Sequence, residues 1–322
     1  MKHRYLGTTG LKVSRLGLGT MLWGTETDEH DAADQLRAFV EAGGSLVDTA
    51  AGYGNGASES LLGTLLGKVA DRDHVVLATK AGIGRPHGER VVDVSRGGLL
   101  RDLDGSLRRL GVDYVDLWQV HTWSDDVPLD ETLSAADAAV TSGRARYVGI
   151  SNYSGWQTAQ AATHQLAAAG RARLASTQME YSLLQRGIER EVIPAAHALG
   201  LGVLCWSPLG RGVLTGKYRS GVPADSRAAS PAFERYVGEH LNPQAAQIVE
   251  AVCRAAEGLD LSPAEVALAW VRDQPGVAAP IVGARNAAQL AGSLAVEAVT
   301  LPDEIVDALD DVSAPELGYP EI

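Results

Sequence analysis

Asp48, Tyr53, Lys80 and His121 are side chains that hold or move protons, and each stands at or just past the end of a short apolar run rich in β-branched residues. Together they suit proton transfer to an oxygen that becomes an alkoxide. A phenol, with a pKa of about 10, is a poor donor at neutral pH, but a neighbouring ammonium stabilises its anion and lowers that value. Lys80 next to Tyr53 would do this, Asp48 would keep Lys80 charged and in place, and a neutral His121 would orient a carbonyl oxygen toward the phenol. No nucleophile elbow or metal-ligand spacing accompanies them. Chemistry of this kind therefore needs a hydride source. Plainer readings exist: an Asp and a Lys at neighbouring strand ends are often a structural ion pair, and a strand-end His is as often a satisfied hydrogen-bonder. Four such residues at three adjacent strand ends favour a site.

The elements that must position them alternate along the chain. After a hairpin over about Lys2 to Leu6 and Leu11 to Arg15, apolar runs follow at Leu16 to Thr20, Ser45 to Asp48, Val75 to Lys80 and Tyr114 to His121. Tyr147 to Ser151, Ala175 to Glu180, Gly202 to Trp206 and Ala278 to Gly283 complete eight. Between them lie helical patterns: Leu61, Leu62, Leu65, Leu66 and Val69 share one face, as do Leu99, Leu100, Leu103, Leu107 and Leu110. Ser58, Ser95 and Ser262 mark helix starts, the last with Pro263 at the first position. From the second run to the seventh, starts lie roughly 30 residues apart, the length of a strand–helix unit. The interval before the eighth is more than twice as long and must hold an insertion.

Eight such units predict an α/β fold, a (β/α)8 TIM barrel with an N-terminal hairpin and an insertion between strands 7 and 8. Its site would lie on the loops at the C-terminal ends of the strands. At 322 residues, length alone suggests two domains unless the fold is such a barrel, and the expectation is one domain over 1–322. The rival is a doubly wound sheet. It needs a glycine-rich fingerprint after the first strand, and Gly17-Leu18-Gly19-Thr20-Met21-Leu22 lacks the third glycine. Gly212-Val213-Leu214-Thr215-Gly216-Lys217 is one residue short of a P-loop and continues with Tyr218.

Composition narrows the partners. A formal charge of −12 with 45% hydrophobic residues argues for a globular protein and against non-specific nucleic-acid binding, which needs lysine and arginine on phosphates. Two cysteines, Cys205 and Cys253, make no disulfide framework or metal site. The opening MKHRYLGTTG lacks the apolar segment of a signal peptide and no stretch is long enough to span a membrane, so the expected location is the cytoplasm, with no membrane partner.

Several stretches in order resemble the aldo-keto reductases over nearly the whole chain. They are Gly17-Leu18-Gly19-Thr20-Met21, Val47-Asp48-Thr49-Ala50 with Tyr53-Gly54 and Ser58-Glu59, Ala78-Thr79-Lys80, and Asp116-Leu117-Trp118-Gln119-Val120-His121. Gly149-Ile150-Ser151-Asn152, Gln178 with Tyr181-Ser182, and Trp206-Ser207-Pro208-Leu209-Gly210-Arg211-Gly212 leading to Leu214-Thr215-Gly216-Lys217-Tyr218 continue the series. Within the family the chain is more similar to bacterial reductases related to potassium-channel β subunits than to mammalian aldose reductases.

The resemblance implies direct hydride transfer from NADPH to an aldehyde or ketone, with Tyr53 as general acid and Asp48, Lys80 and His121 completing a tetrad. It implies that Ser151, Asn152 and Gln178 bind the nicotinamide carboxamide, that Trp206 stacks on the ring, and that Thr20 belongs to the cofactor site. Ser207 to Arg211, with Leu209 between, resembles the pyrophosphate segment. Lys217 and the loop Val222-Pro223-Ala224-Asp225-Ser226-Arg227 resemble a strap over the dinucleotide, and Gly283-Ala284-Arg285-Asn286 with Gln289 matches the adenosine phosphate end. Lys217, Arg227 and Arg285 would be the cations that select a 2′-phosphate. Trp23 and Trp123 are expected to wall the substrate pocket with Tyr53 and His121. One departure stands out: a Glu-Asn pair common after Gln289 is replaced by Gly292 and Ser293.

Two other functions are weighed. A redox-sensing, NADPH-binding subunit akin to channel β subunits would share the tetrad, but such subunits usually carry an N-terminal extension and here the first strand begins almost at Met1. A lyase or isomerase with Lys80 as a Schiff base would need a neutral lysine, which paired Asp48 opposes.

Overall fold

Each of the eight apolar runs forms a strand, because valine, isoleucine and leucine on both faces of a short segment can only be covered inside a parallel sheet flanked by helices. A computed structural model describes all residues except Pro86, His87, Asp225, Pro231, Ala232, Leu317 and 319–322. The chain opens with β1 (His3–Tyr5) paired antiparallel to β2 (Lys12–Ser14). The barrel then closes through β3 (Gly17–Gly19), β4 (Leu46–Asp48), β5 (Val76–Ala81), β8 (Val115–Val120), β9 (Ala145–Ser151), β10 (Leu174–Glu180), β11 (Gly202–Trp206) and β12 (Val277–Val282). Every neighbouring pair in it is parallel. This is the expected (β/α)8 barrel.

Helices α1 (Glu29–Glu41), α2 (Ala57–Leu65), α3 (Arg96–Leu110), α4 (Leu129–Thr141), α5 (Gly155–Leu166) and α6 (Val192–Leu199) connect the first seven barrel strands. The insertion carries α7 (Glu234–Gly238), α8 (Pro243–Leu259) and α9 (Pro263–Asp273), and α10 (Ala287–Leu294) and α11 (Asp303–Val312) follow β12. Ser95 and Ser262 cap α3 and α9 as their positions predict, Ser262 in a reciprocal capping box with Glu265. Ser58 does not cap α2: the helix starts at Ala57 behind Gly56, and the buried Ser58 hydroxyl instead donates to the Thr20 carbonyl. That helix also ends at Leu65, leaving Leu66 extended and Val69 beyond it.

The hairpin stops the N-terminal end of the barrel. Leu6 and Val13 pack in one cluster with Leu46, Ala78, Leu117, Ala175 and Leu204 from five strands, and the Ser14 hydroxyl accepts the Ser45 amide just before β4. The opposite end stays polar and open. A small hairpin absent from the sequence reading, β6 (Ile83–Gly84) with β7 (Val91–Val92), rises there after β5. Among the described residues no helix is long and apolar enough to cross a membrane.

Candidate active site

Asp48 ends β4, Lys80 lies one residue before the end of β5, His121 follows β8, and Tyr53 begins a short 3-10 turn after β4. Pairing of β4 with β5 and β5 with β8 brings them together. Lys80 Nζ donates to Asp48 Oδ2 at 2.6 Å, to the Thr49 carbonyl at 2.8 Å and to the Tyr53 hydroxyl at 3.2 Å. The Tyr53 and His121 rings meet edge to face, 5.9 Å between centroids. Lys80 and Asp48 are 1% and 2% exposed, so their charges survive only as a pair with its hydrogen bonds complete.

The turn that presents Tyr53 is braced from behind. Glu59, fully buried on α2, accepts from Arg109 Nε at 2.7 Å and from the Thr79 hydroxyl at 2.5 Å, tying α2 to α3 and to the residue before Lys80. A Cβ at Gly56 would lie 2.6 Å from Arg109 Cδ, and one at Gly52 would lie 2.4 Å from the Ile83 carbonyl oxygen. Glycine is what lets the clamp and β6 close on this turn. Glu59 enters the sequence pattern only through the resemblance, without this bracing role; a carboxylate inside an apolar helix face is the signal that marks it.

Burial dominates the acid–base behaviour. It raises Tyr53 above the ordinary tyrosine value, and the Lys80 ammonium, which pulls the other way, does not overcome it. The expectation of a lowered phenol is thus corrected for this form of the protein. Burial would depress Lys80, but Asp48, Tyr53 and their hydrogen bonds outweigh it and hold the ammonium above the ordinary lysine value. His121 falls well below 6.5 through burial first, then the charges of Lys80 and Arg90, so its imidazole is neutral.

Ser151, Asn152, Gln178 and Trp206 form a linked rim. The Ser151 hydroxyl donates to the Gln178 carbonyl at 2.8 Å, Asn152 Nδ2 to the His121 carbonyl at 2.9 Å, and the Trp206 indole N–H to Asn152 Oδ1 at 3.1 Å. Beside the rim opens a cavity of about 810 Å³ running past Tyr53, His121, Ser207, Leu209, Lys217, Arg227, Gly283, Arg285 and Gln289. Asn55, Asn152, Ser207 and Arg211 have φ of +53°, +60°, +52° and +58°, strained backbone for non-glycine residues, and all but Asn55 line this cavity.

Some expected site residues are placed elsewhere. Trp23 is fully buried in the core with its indole N–H on Gln35, because it turns under the loop that Met21 and Leu22 present to the cavity. Trp123 stands outside the cavity wall, edge-on to Tyr153 and Trp156, its N–H held by Asp125 at 2.7 Å. Thr20 is also buried off the cavity, its hydroxyl 3.2 Å from the Asp48 carbonyl and 2.8 Å from Ser58 Oγ. Arg211 borders the cavity but its guanidinium is engaged by Glu180, Glu239 and the Tyr236 carbonyl and lies over the Tyr236 ring at 3.9 Å. Four of its five N–H donors are taken by these bonds, which leaves one Nη2 hydrogen for a phosphate. Gln289 Oε1 accepts the Arg285 amide at 3.1 Å, and Gly292 and Ser293 line the same end. Asp225 of the strap lies outside the described residues.

The chain is thus a closed parallel barrel with a Tyr–Lys–Asp–His cluster at its C-terminal face and a long cavity beside it. Residues 15–314 match the profile of the Aldo/keto reductase family, and the chain belongs to that family. It is 38% identical to the "Uncharacterized oxidoreductase YrpG" of Bacillus subtilis (strain 168), covering 97% of this chain and 96% of that one. It is 34% identical to a "Probable voltage-gated potassium channel subunit beta" of Oryza sativa subsp. japonica, over 97% and 96% of the two chains. With the "Aldo-keto reductase YhdN" of B. subtilis the identity is 32%, over 94% and 91%. The family generally uses NAD(P)H and acts on small carbonyl substrates.

Proposed function

We propose that this protein is a cytoplasmic, single-domain reductase that converts aldehydes or ketones to alcohols with NADPH, Tyr53 serving as general acid. The observation that carries the reading is the contact of Lys80 Nζ with both Asp48 and Tyr53 at the floor of a cavity bordered at its far end by Lys217, Arg227 and Arg285. The residues fit a dinucleotide: Gln178 Oε1 accepts no hydrogen bond from a described residue and Gln178 lines the cavity, open to a carboxamide N–H. NADPH, when bound, supplies the hydride. Tyr53 donates the proton to the oxygen that becomes an alkoxide, and Lys80 stabilises the phenolate left behind. Asp48 holds Lys80 charged. Nδ1 of neutral His121 is buried without a hydrogen-bond partner among the described residues, and in the tautomer that carries the proton on Nε2 the ring donates to the carbonyl oxygen.

Ser151, Asn152 and Gln178 orient the carboxamide, and Trp206, its plane fixed by Asn152, stacks on the ring. Ser207, Leu209 and Gly283 line the pyrophosphate path, while Lys217, Arg227, Arg285 and Gln289 take the adenosine phosphate end. The experiment is NADPH oxidation against a panel of aldehydes, ketones and sugars, run beside Tyr53→Phe. Turnover lost by roughly 10²-fold or more in that variant supports the assignment; full activity overturns it. Tight NADPH binding without turnover of any substrate would instead favour a sensor subunit.

A further inference from the structure

Gln178 has a second partner. It sits on β10, and its side chain crosses the barrel mouth to Asp48 on β4, where Nε2 donates to Oδ1 at 2.9 Å. Lys80 holds the other oxygen at 2.6 Å. Both oxygens of this buried carboxylate are thus pinned by donors from different strands, β5 and β10. An ionised carboxylate only accepts, so the amide nitrogen must face Asp48 and Oε1 must point away, to the cavity that Gln178 lines.

Resting on the dinucleotide-binding reading above, we propose that Gln178 is a positioning residue of the proton-transfer group: through Asp48 it sets the share of the Lys80 ammonium available to Tyr53, while its Oε1 faces the ligand. Without the Nε2 donor, Asp48 Oδ1 would be a buried anionic oxygen lacking a partner. The carboxylate would then draw the Lys80 proton more strongly, Lys80 would donate less to the phenol, and the Tyr53 anion would be harder to form. The bonds form one chain from cavity to phenol, Oε1–Nε2–Asp48–Lys80–Tyr53. Hydrogen bonds in such a chain polarise one another, so a donor arriving at Oε1 tightens the amide's hold on Asp48.

The test uses Gln178→Met and Gln178→Asn, the second keeping an amide too short to reach Asp48 and serving also if the first folds poorly. The primary readout is the titration of Tyr53 in the ligand-free protein, followed by the 13Cζ shift assigned against Tyr53→Phe. The midpoint should rise by about 0.5 to 1 pH unit in both variants, the size of one altered hydrogen bond. With NADPH, kcat should fall and its pH profile shift, and the loss should be non-additive with Asp48→Asn. An unmoved Tyr53 midpoint, with only weakened NADPH binding, overturns the proposal by reducing Gln178 to a cofactor ligand. Failure of the wild-type protein to bind NADPH would sink the function instead and leave the ligand-free titration valid.

Discussion

Arg211 grips Glu180 at two points, Nε to Oε1 at 2.9 Å and Nη2 to Oε2 at 2.8 Å, with side chains only 8% and 12% exposed. Glu180 ends β10 and also meets His240 Nε2 at 3.2 Å, while Arg211 reaches on to Tyr236 and Glu239 around α7. Burial alone would raise the Glu180 carboxyl, but the bonds from His240 and Arg211 hold it below the ordinary glutamate value. The residue assigned by resemblance to a phosphate path is therefore a clasp between the barrel and the inserted segment that borders the cavity.

Arg211→Met should cost roughly 3 kcal/mol, because it leaves Glu180 buried without its main cation. Urea unfolding measures this. Adding Glu180→Gln should return part of the loss, and hydrogen exchange at 233–240 should rise in the single variant without a matching rise in the barrel strands. Additive losses would show that the pair does not act as a unit.

His121 gives the protein an acid-side weakness. Its folded pKa lies below 6.5, so between these values the unfolded chain binds a proton that the folded one refuses, and stability falls as pH drops from about 6.5. His121→Asn should lose less stability than the wild type between pH 7 and pH 5. Equal losses would assign the acid sensitivity to the paired carboxylates.

Lys217, Arg227 and Arg285 line the cavity of an otherwise acidic protein, where the proposed function places the adenosine phosphate, and Arg227 lies over the Phe233 ring at 5.3 Å. NADPH should bind more tightly than NADH, and Arg227→Ala should weaken NADPH roughly tenfold while changing NADH little, the size expected for one charge-assisted phosphate contact. Fluorescence titration with both dinucleotides checks it. Equal wild-type affinities would remove the phosphate site.

Trp23 separates core from pocket. Trp23→Ala should destabilise the fold by about 3 to 5 kcal/mol, since it empties a fully buried site and strips Gln35 Oε1 of its donor. A milder Trp23→Phe should leave carbonyl KM within about twofold, as no interaction with ligand is removed. A large KM change at full stability would return Trp23 to the pocket wall.

Local order carried the fold. The alternation of apolar runs with helical spacing, the caps at Ser95 and Ser262, and the polar residues closing successive runs were legible, because each is a property of neighbours along the chain. Asp48, Lys80 and His121 could be placed at one barrel end from their positions in those runs alone. What a side chain does after leaving the backbone depended on residues far away in sequence. Trp23 went to the core, Arg211 to Glu180 and Ser58 to Thr20, since buried charges and hydroxyls must find partners and only the closed barrel decides which stand within reach. The span from Gln178 to Asp48 crosses the mouth between strands that are not neighbours, and burial, not the proximity of Lys80, sets the direction in which Tyr53 moves.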